Sequence, residues 1–243
     1  MGSGIYLAGA AMIAREVQQE ALVHNLANVS TPGYKATRMF AEELEDVEAS
    51  VDSMRETEKN HSFYIDFSQG PVEQTGRDLD VALEGDGFFT VMTEAGERFT
   101  RNGNFTLDAE GRLVTRTGNP VLTETGPVVL RELDRAGAVR IQEDGEIYVE
   151  DRWVGRLWIR DFESTDGLEI QGDGLFGPRS GFVLRDVPSD ALVRQRCLEQ
   201  SNVHALDEMV RMMSQLRSYE SSQRMIEMQN QAQGQTVNDL ITR

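Results

Sequence analysis

The 243-residue chain has one cysteine, Cys197, so no disulfide framework can form within a single copy. That cysteine has no base set beside it by any motif: the three histidines, His24, His61 and His204, stand apart from it in sequence and from each other. A small side chain packed in the fold is the expectation for it. Basic residues are also in short supply. Twenty-four lysines and arginines stand against 41 aspartates and glutamates, a formal net charge of −17 with a pI near 4.6. No basic cluster offsets that excess, which argues against nucleic acid or an anionic bilayer surface as partner. Long hydrophobic runs are missing. The most apolar stretch, Gly4 to Ala14, stops at Arg15 and Glu16, far short of the roughly 20 residues that span a bilayer. With no basic segment before it and no Ala-x-Ala cleavage pattern, it is expected to be neither a secretory signal nor a membrane anchor. Proline is absent from Ile5 to Ser30 and from Ala191 to Leu240.

What remains is an ordinary globular composition, 39% hydrophobic and 27% charged. The length suffices for one sizeable core with extensions left over. Ala, Leu, Met, Gln and Glu dominate from Ile5 to about Asn28 and predict a helix of several turns. Its apolar positions, Ile5, Ala8, Met12, Leu22, Leu26 and Val29, recur at steps of three and four, interrupted by Arg15 and Gln19. Ser30-Thr31-Pro32-Gly33 ends it, since Pro32 disfavours helical geometry at Thr31 and Gly33 tolerates positive φ. A second seam runs Met209, Met212, Leu216, Tyr219, Gln223, Ile226, Asn230, Gln233, Val237 and Leu240, strictly alternating three and four as in a coiled coil. Between the ends, from about Ile65 to Leu184, short apolar segments alternate with turn signals and predict strands. Asn102-Gly103 is the strongest hairpin signal, because a type I′ turn needs positive φ at both positions. Trp153, Trp158 and Phe162 are expected on strands that cover a core.

The expected fold is therefore α+β, with N- and C-terminal helices pairing as a coiled coil around a central, mainly β domain. Its boundaries are a helix and signature turn over 1–35, an acidic linker over 36–64 that includes the charge run Glu42 to Glu58, a β domain over 65–187, and a C-terminal helix over 188–243.

The features that could carry chemistry do not hold together. Gly172-Asp173-Gly174-Leu175-Phe176-Gly177 is a literal G-x-G-x-x-G, but Pro178, Arg179, Ser180 and Gly181 follow it where a phosphate site needs a helix N-terminus. Asp78, Asp80, Glu84 and Asp86 cluster, yet counting from Asp78 an EF-hand would need an oxygen ligand and then Gly where Ala82 and Leu83 stand. A carbohydrate-active β enzyme would need those carboxylates converged in a cleft with separated pKa values. An adaptor built on a coiled-coil dimer would need the C-terminal seam to stop at two copies. The five methionines from Met209 to Met228 read as packing on that seam.

One further set of residues points elsewhere. Asn25-Leu26-Ala27-Asn28-Val29-Ser30-Thr31-Pro32-Gly33-Tyr34-Lys35 resembles the N-terminal signature of the flagellar rod, hook and hook-associated axial proteins. The likeness continues at Leu79 to Phe89, at Phe99-Thr100-Arg101-Asn102-Gly103-Asn104-Phe105, at Leu198-Glu199-Gln200-Ser201-Asn202-Val203, and along Glu208-Met209-Val210 and Arg217-Ser218-Tyr219-Glu220. Within that family the short length, Ile5-Tyr6 and Thr31-Pro32-Gly33 resemble the proximal rod members, with the distal rod members next. The resemblance implies a structural subunit with no cofactor or metal, passed unfolded through the flagellar export apparatus without a cleaved signal. It also implies assembly with other rod proteins and with copies of itself into a hollow helical tube in the basal body, without insertion in the bilayer. The residues it implies for the assembly interface are Ile5, Met12, Leu22, Asn25, Leu26, Asn28, Thr31, Pro32, Gly33 and Tyr34 at one end. At the other end they are Ser201, Asn202, Val203, Met209, Met212, Leu216, Tyr219, Ile226, Val237 and Leu240. Calorimetric titration of the chain with calcium, magnesium and NAD is expected to give no heat of binding, and micromolar binding of any of the three would restore an enzyme reading.

Overall fold

The computed structural model describes residues 17–39, 63–130 and 139–241. Among them the chain is mainly β, with nineteen strands and two helices, α1 through residues 17–27 and α2 over Ala205–Ile241. This corrects the α+β expectation. The expected coiled-coil pairing of the terminal helices is corrected as well: Met209 and Leu216 are each 43% exposed, and Met212 and Tyr219 are only half-buried. A partner helix in the same chain would cover those side chains. Alternating steps of three and four specify that an apolar stripe forms on a helix, but not that the chain itself supplies a second helix to meet it. Ile5, Met12 and the acidic run 42–58 lie outside the described residues. Neither helix is long and apolar enough to cross a membrane.

The chain divides into two units, residues 28–36 with 65–203, and residues 1–27 with 37–64 and 204–243. The first is built on a six-stranded antiparallel sheet ordered Leu168–Ile170, Leu175–Pro178, Gly96–Thr100, Phe88–Thr93, Ile159–Phe162, Asp186–Val187. Successive side chains on a strand point to opposite faces, so Phe88 and Phe89 go to different cores. Phe89 and Val91 join Val81, Leu83, Phe105, Leu113 and Ile147 on one side, while Phe88 joins Phe99, Phe162, Leu168 and Phe176 on the other. With both faces covered, the strand loses its polar alternation and reads Phe-Phe-Thr-Val, all buried. Ring pairs such as Phe99 with Phe162, centroids 4.8 Å apart and tilted 70°, add edge-to-face contacts. Val81–Glu84 pairs with Leu192–Gln195 and Val72–Gln74 with Cys197–Glu199, which ties the end of this unit to its beginning. Trp153, in the three-stranded sheet of Val139–Ile141, Glu146–Val149 and Arg152–Arg156, is 53% exposed instead of covering a core.

Several turns fall where the glycines stand. Gly111 at φ +74° and Gly145 at φ +83° close hairpins, donating to the carbonyls of Asp108 and Gln142. Asn102-Gly103 behaves differently. Neither residue has positive φ, and no hairpin forms there, because Gly96–Thr100 pairs with Phe88–Thr93 and Leu175–Pro178 instead. Glycine is needed at 103 for closeness: a Cβ there would lie 1.6 Å from the carbonyl oxygen of Val81, whose own N–H donates to the Gly103 carbonyl at 3.0 Å. The change Gly103→Ala must part these two backbones, and a loss of about 3 kcal/mol is expected. Denaturant unfolding checks it; an unchanged midpoint would mean that the two segments separate freely.

Candidate functional site

Three of the sequence blocks singled out above, far apart along the chain, meet at one buried point. The signature turn begins where Thr31 N–H donates to the Asn28 carbonyl at 3.0 Å and Tyr34 N–H to the Thr31 carbonyl at 3.2 Å. Gly33 sits in it at φ +69°, and a Cβ there would come within 2.4 Å of the Asn102 nitrogen. Both facts exclude any other residue without a shift of backbone. Its N–H donates to the carbonyl of Glu199 at 2.7 Å. The next residue but one, Lys35, is thereby aimed inward.

Lys35 Nζ lies 2.6 Å from Glu199 Oε1, with both side chains fully buried, and also donates to the Ser68 carbonyl at 2.7 Å. Gly70 N–H donates to the same Oε1 at 2.9 Å. Arg101 Nη1 approaches Glu199 Oε2 at 3.4 Å, donates to the Gly85 carbonyl at 2.9 Å, and its guanidinium stands 5.2 Å from the ring centroid of Phe88. Gly70 fits only because it lacks a Cβ, which would lie 2.1 Å from the Gln200 carbonyl oxygen. Asn202 binds the same segments together. Its Oδ1 accepts from Ala36 N–H at 2.8 Å, and its Nδ2 donates to the carbonyls of Asp66 at 2.7 Å and Ser68 at 3.1 Å.

Burial pushes the Lys35 ammonium below the usual lysine range; the charge and hydrogen bond of Glu199 pull it back, and Arg101 lowers it further. Arg101 is lowered too, by burial first, against the opposing pull of Glu199 and Asp86. A carboxylate shared by two buried cations holds its place because removing one partner leaves charge without compensation. Glu199 is enclosed, its Oε1 met by Lys35 and the Gly70 N–H and its Oε2 by Arg101, so the arrangement orders backbone segments and offers no group to a substrate. The carboxylates considered for chemistry are engaged separately: Asp78 with Arg196 at 2.6 Å, Asp80 with Thr75 at 2.7 Å, Glu84 with Arg194 at 2.7 Å. Among the described residues no cluster of three or more His, Cys, Asp or Glu could hold a metal ion. Gly172 to Gly174 form the tip of a hairpin between Leu168–Ile170 and Leu175–Pro178, with no helix after it.

The residues named for an interface fall in different places. Asn25, Leu22, Gly33, Ser201 and Val203 are buried, and Asn25 exchanges two 2.9 Å hydrogen bonds with the Thr37 backbone. Leu26, Asn28, Thr31, Pro32, Tyr34 and Asn202 are half-buried. Ile226, Val237 and Leu240 stand on α2, and their side chains are outside the described set. Reading the sequence missed Lys35, Arg101 and Glu199 as a unit. The available signal was one ionic residue set among turn and apolar residues in each of three blocks.

Each member of that triad falls in a different matched segment of known proteins. Residues 5–35 match the family described as flagella basal body rod protein, 82–149 the flagellar hook protein FlgE/F/G D1 domain, and 194–240 the flagellar basal body rod FlgEFG protein C-terminal family. The flagellar basal-body rod protein FlgF of Caulobacter vibrioides is 30% identical over 233 residues, covering 93% of either chain. The chain belongs to the flagellar basal-body rod protein family. FlgF of Mesorhizobium japonicum is 29% identical over 91% of either chain, and FlgG of Bacillus subtilis 30% identical over 92% of this chain and 93% of its own. This rod protein is thus a structural subunit of the basal body that assembles with other rod proteins, and it is not an enzyme.

The triad gives an ordered pair of expectations. Glu199→Gln leaves two buried cations uncompensated and should cost about 3–5 kcal/mol. Lys35→Met should cost less, because Arg101 and the Gly70 N–H still hold the carboxylate. Chemical denaturation of both variants checks the order; a Glu199→Gln protein as stable as the parent would remove the triad from its place in the fold.

Proposed function

We propose that this rod protein is a proximal rod subunit of the FlgF type. The observation that carries the reading is the economy of the alignment. FlgF of Caulobacter vibrioides covers 93% of this chain in 233 aligned positions, whereas FlgG of Buchnera aphidicola subsp. Schizaphis graminum needs 255 for the same share. Those extra positions are gaps opposite a longer relative. The distal, FlgG-like reading is the alternative, favoured by the 30% identity to the Bacillus subtilis protein.

In this proposal the subunit polymerises, with copies of itself and other rod proteins, into a hollow helical tube. Residues 1–27 and 204–243 line its inner wall and the unit of 28–36 with 65–203 forms the outer layer; the expected bounds of 1–35 and 188–243 give way because Leu192–Gln195 and Cys197–Glu199 pair as strands within that unit. The seam of Met209 and Leu216, each 43% exposed, with half-buried Met212 and Tyr219 supports a helix face kept for neighbours. The subunit reaches the rod through the flagellar export apparatus without a cleaved signal; the lone Cys197 puts no disulfide in the way of threading.

An epitope-tagged chain in isolated basal bodies should label the membrane-proximal part of the rod by electron microscopy, and distal labelling would assign it as FlgG-like. Leu216→Asp should leave the melting of the β unit unchanged, since the side chain is 43% exposed, while rods and motility are lost. Working rods built from this variant would exclude the seam as an interface.

A further inference from the structure

Trp153 is the most exposed aromatic side chain among the described residues, and it does not stand alone. In the three-stranded sheet Arg140 pairs with Tyr148, and Tyr148 with Trp153. Directly paired residues point to the same face, so a guanidinium, a phenol and an indole form a row across the strands, about 5 Å from one to the next. The other face sends Val139, Ile141, Ile147 and Val149 into the core, which fixes the support under the row. The Tyr148 hydroxyl donates to Glu146 Oε2 at 2.8 Å. Beside the row lies a groove of about 420 Å³ whose polar lining is Arg140, Tyr148, Glu150, Asp151, Gln195 and Arg196. Three of these have positive φ, Glu150 at +49°, Asp151 at +66° and Arg196 at +63°, and only Asp173 shares that conformation among the other described non-glycine residues. Such a conformation is costly for a residue with a side chain and is held by the fold around it. Glu150 and Asp151 make the two-residue turn between Glu146–Val149 and Arg152–Arg156, where Asn and Gly serve best. The turn itself gives no reason for two carboxylates.

We propose that this row and groove bind a β-linked glycan chain of equatorially substituted pyranose rings. Such a ring has a flat face of C–H groups and a rim of hydroxyls. Trp153 and Tyr148 offer aromatic faces to the first, on neighbouring strands that set them about one sugar unit apart. Arg140, Glu150 and Asp151 carry planar groups with paired donors or acceptors, which suit neighbouring hydroxyls on the rim. Charge selects the same ligand. The whole chain carries −17, yet the groove lining sets two guanidinium groups against two carboxylates, which favours a ligand without net charge. The ion pair of Arg140 with Asp151 spans 3.6 Å between side chains 70% and 89% exposed. A pair so open contributes little and is readily exchanged for hydroxyl contacts. The far wall is firm: Gln195 Nε2 donates to the carbonyls of Asp78 at 2.7 Å and Val139 at 2.9 Å, and Arg196 meets Asp78 at 2.6 Å. Glu150 and Asp151 are neighbours on one turn and do not flank a glycosidic bond from both sides, so the groove holds the glycan without cleaving it. The inference goes beyond the place of the subunit in the rod and does not depend on it.

Titration of the isotope-labelled full chain, followed by nuclear magnetic resonance, tests the site. The probes are tetramers of β-1,4-linked N-acetylglucosamine, of β-1,4-linked glucose and of α-1,4-linked glucose. Expected is a saturable shift of the Trp153 indole N–H and of the Arg140 signals with at least one β-linked tetramer, with a dissociation constant on the order of 1 mM or tighter. Comparison of the two β-linked tetramers shows whether the N-acetyl group adds to binding. The α-linked chain curves and cannot lie flat on both rings, so its affinity should be about tenfold weaker or less. Trp153→Ala should lose about tenfold in affinity or more with the melting temperature and the remaining spectrum unchanged, since the side chain is 53% exposed. A lack of saturation with both β-linked tetramers up to about 10 mM would overturn the proposal. So would shifts confined to residues away from the row and groove, an α-linked tetramer bound as well as the β-linked ones, or a Trp153→Ala chain that binds like the parent.

Discussion

The carboxylate of Glu199, buried between Lys35 and Arg101, constrains the β unit more than any other single group. Through its two oxygens and its own carbonyl it holds the turn at Gly33, the Ser68–Gly70 segment and the Phe99–Asn104 block. Charges so enclosed lose their hydration, and only a full set of donors compensates that loss. Partial occupancy is therefore not tolerated: the three segments come together or the ions are exposed. The glycines at 33, 70 and 103 belong to the same constraint, since each allows one backbone to approach another at a distance a Cβ would forbid.

This also explains how a rod subunit keeps a defined β unit by itself. A structural subunit must carry load between neighbours without rearranging, and the closed phenylalanine cluster behind the six-stranded sheet is dense and directional in its packing. Among the described residues, exposed apolar side chains also line α2, from Leu206 to Leu216.

The strand–turn rhythm of the middle was legible because turns need Gly at positive φ, as at Gly111 and Gly145. Asn102-Gly103 was misread for a physical reason: glycine satisfies two demands, an unusual φ or a missing Cβ, and sequence does not say which. Trp153 was misplaced because a large ring suits a strand whether or not another layer covers it. The helical seam was legible as periodicity, but periodicity gives the side of the helix and is silent on who covers it, so the pairing of the two ends did not follow.

By itself the sequence determined the strongly acidic, disulfide-free chemistry, the helix that now runs Ala205–Ile241, the strand-rich middle and the family, because composition, local propensity and ordered motifs are properties of neighbours along the chain. Only the tertiary structure decided that Lys35, Arg101 and Glu199 form one site. Their separations, 66 residues from 35 to 101 and 98 from 101 to 199, are bridged by strand pairing and close backbone approach, and no local pattern carries the cost of burying a charge.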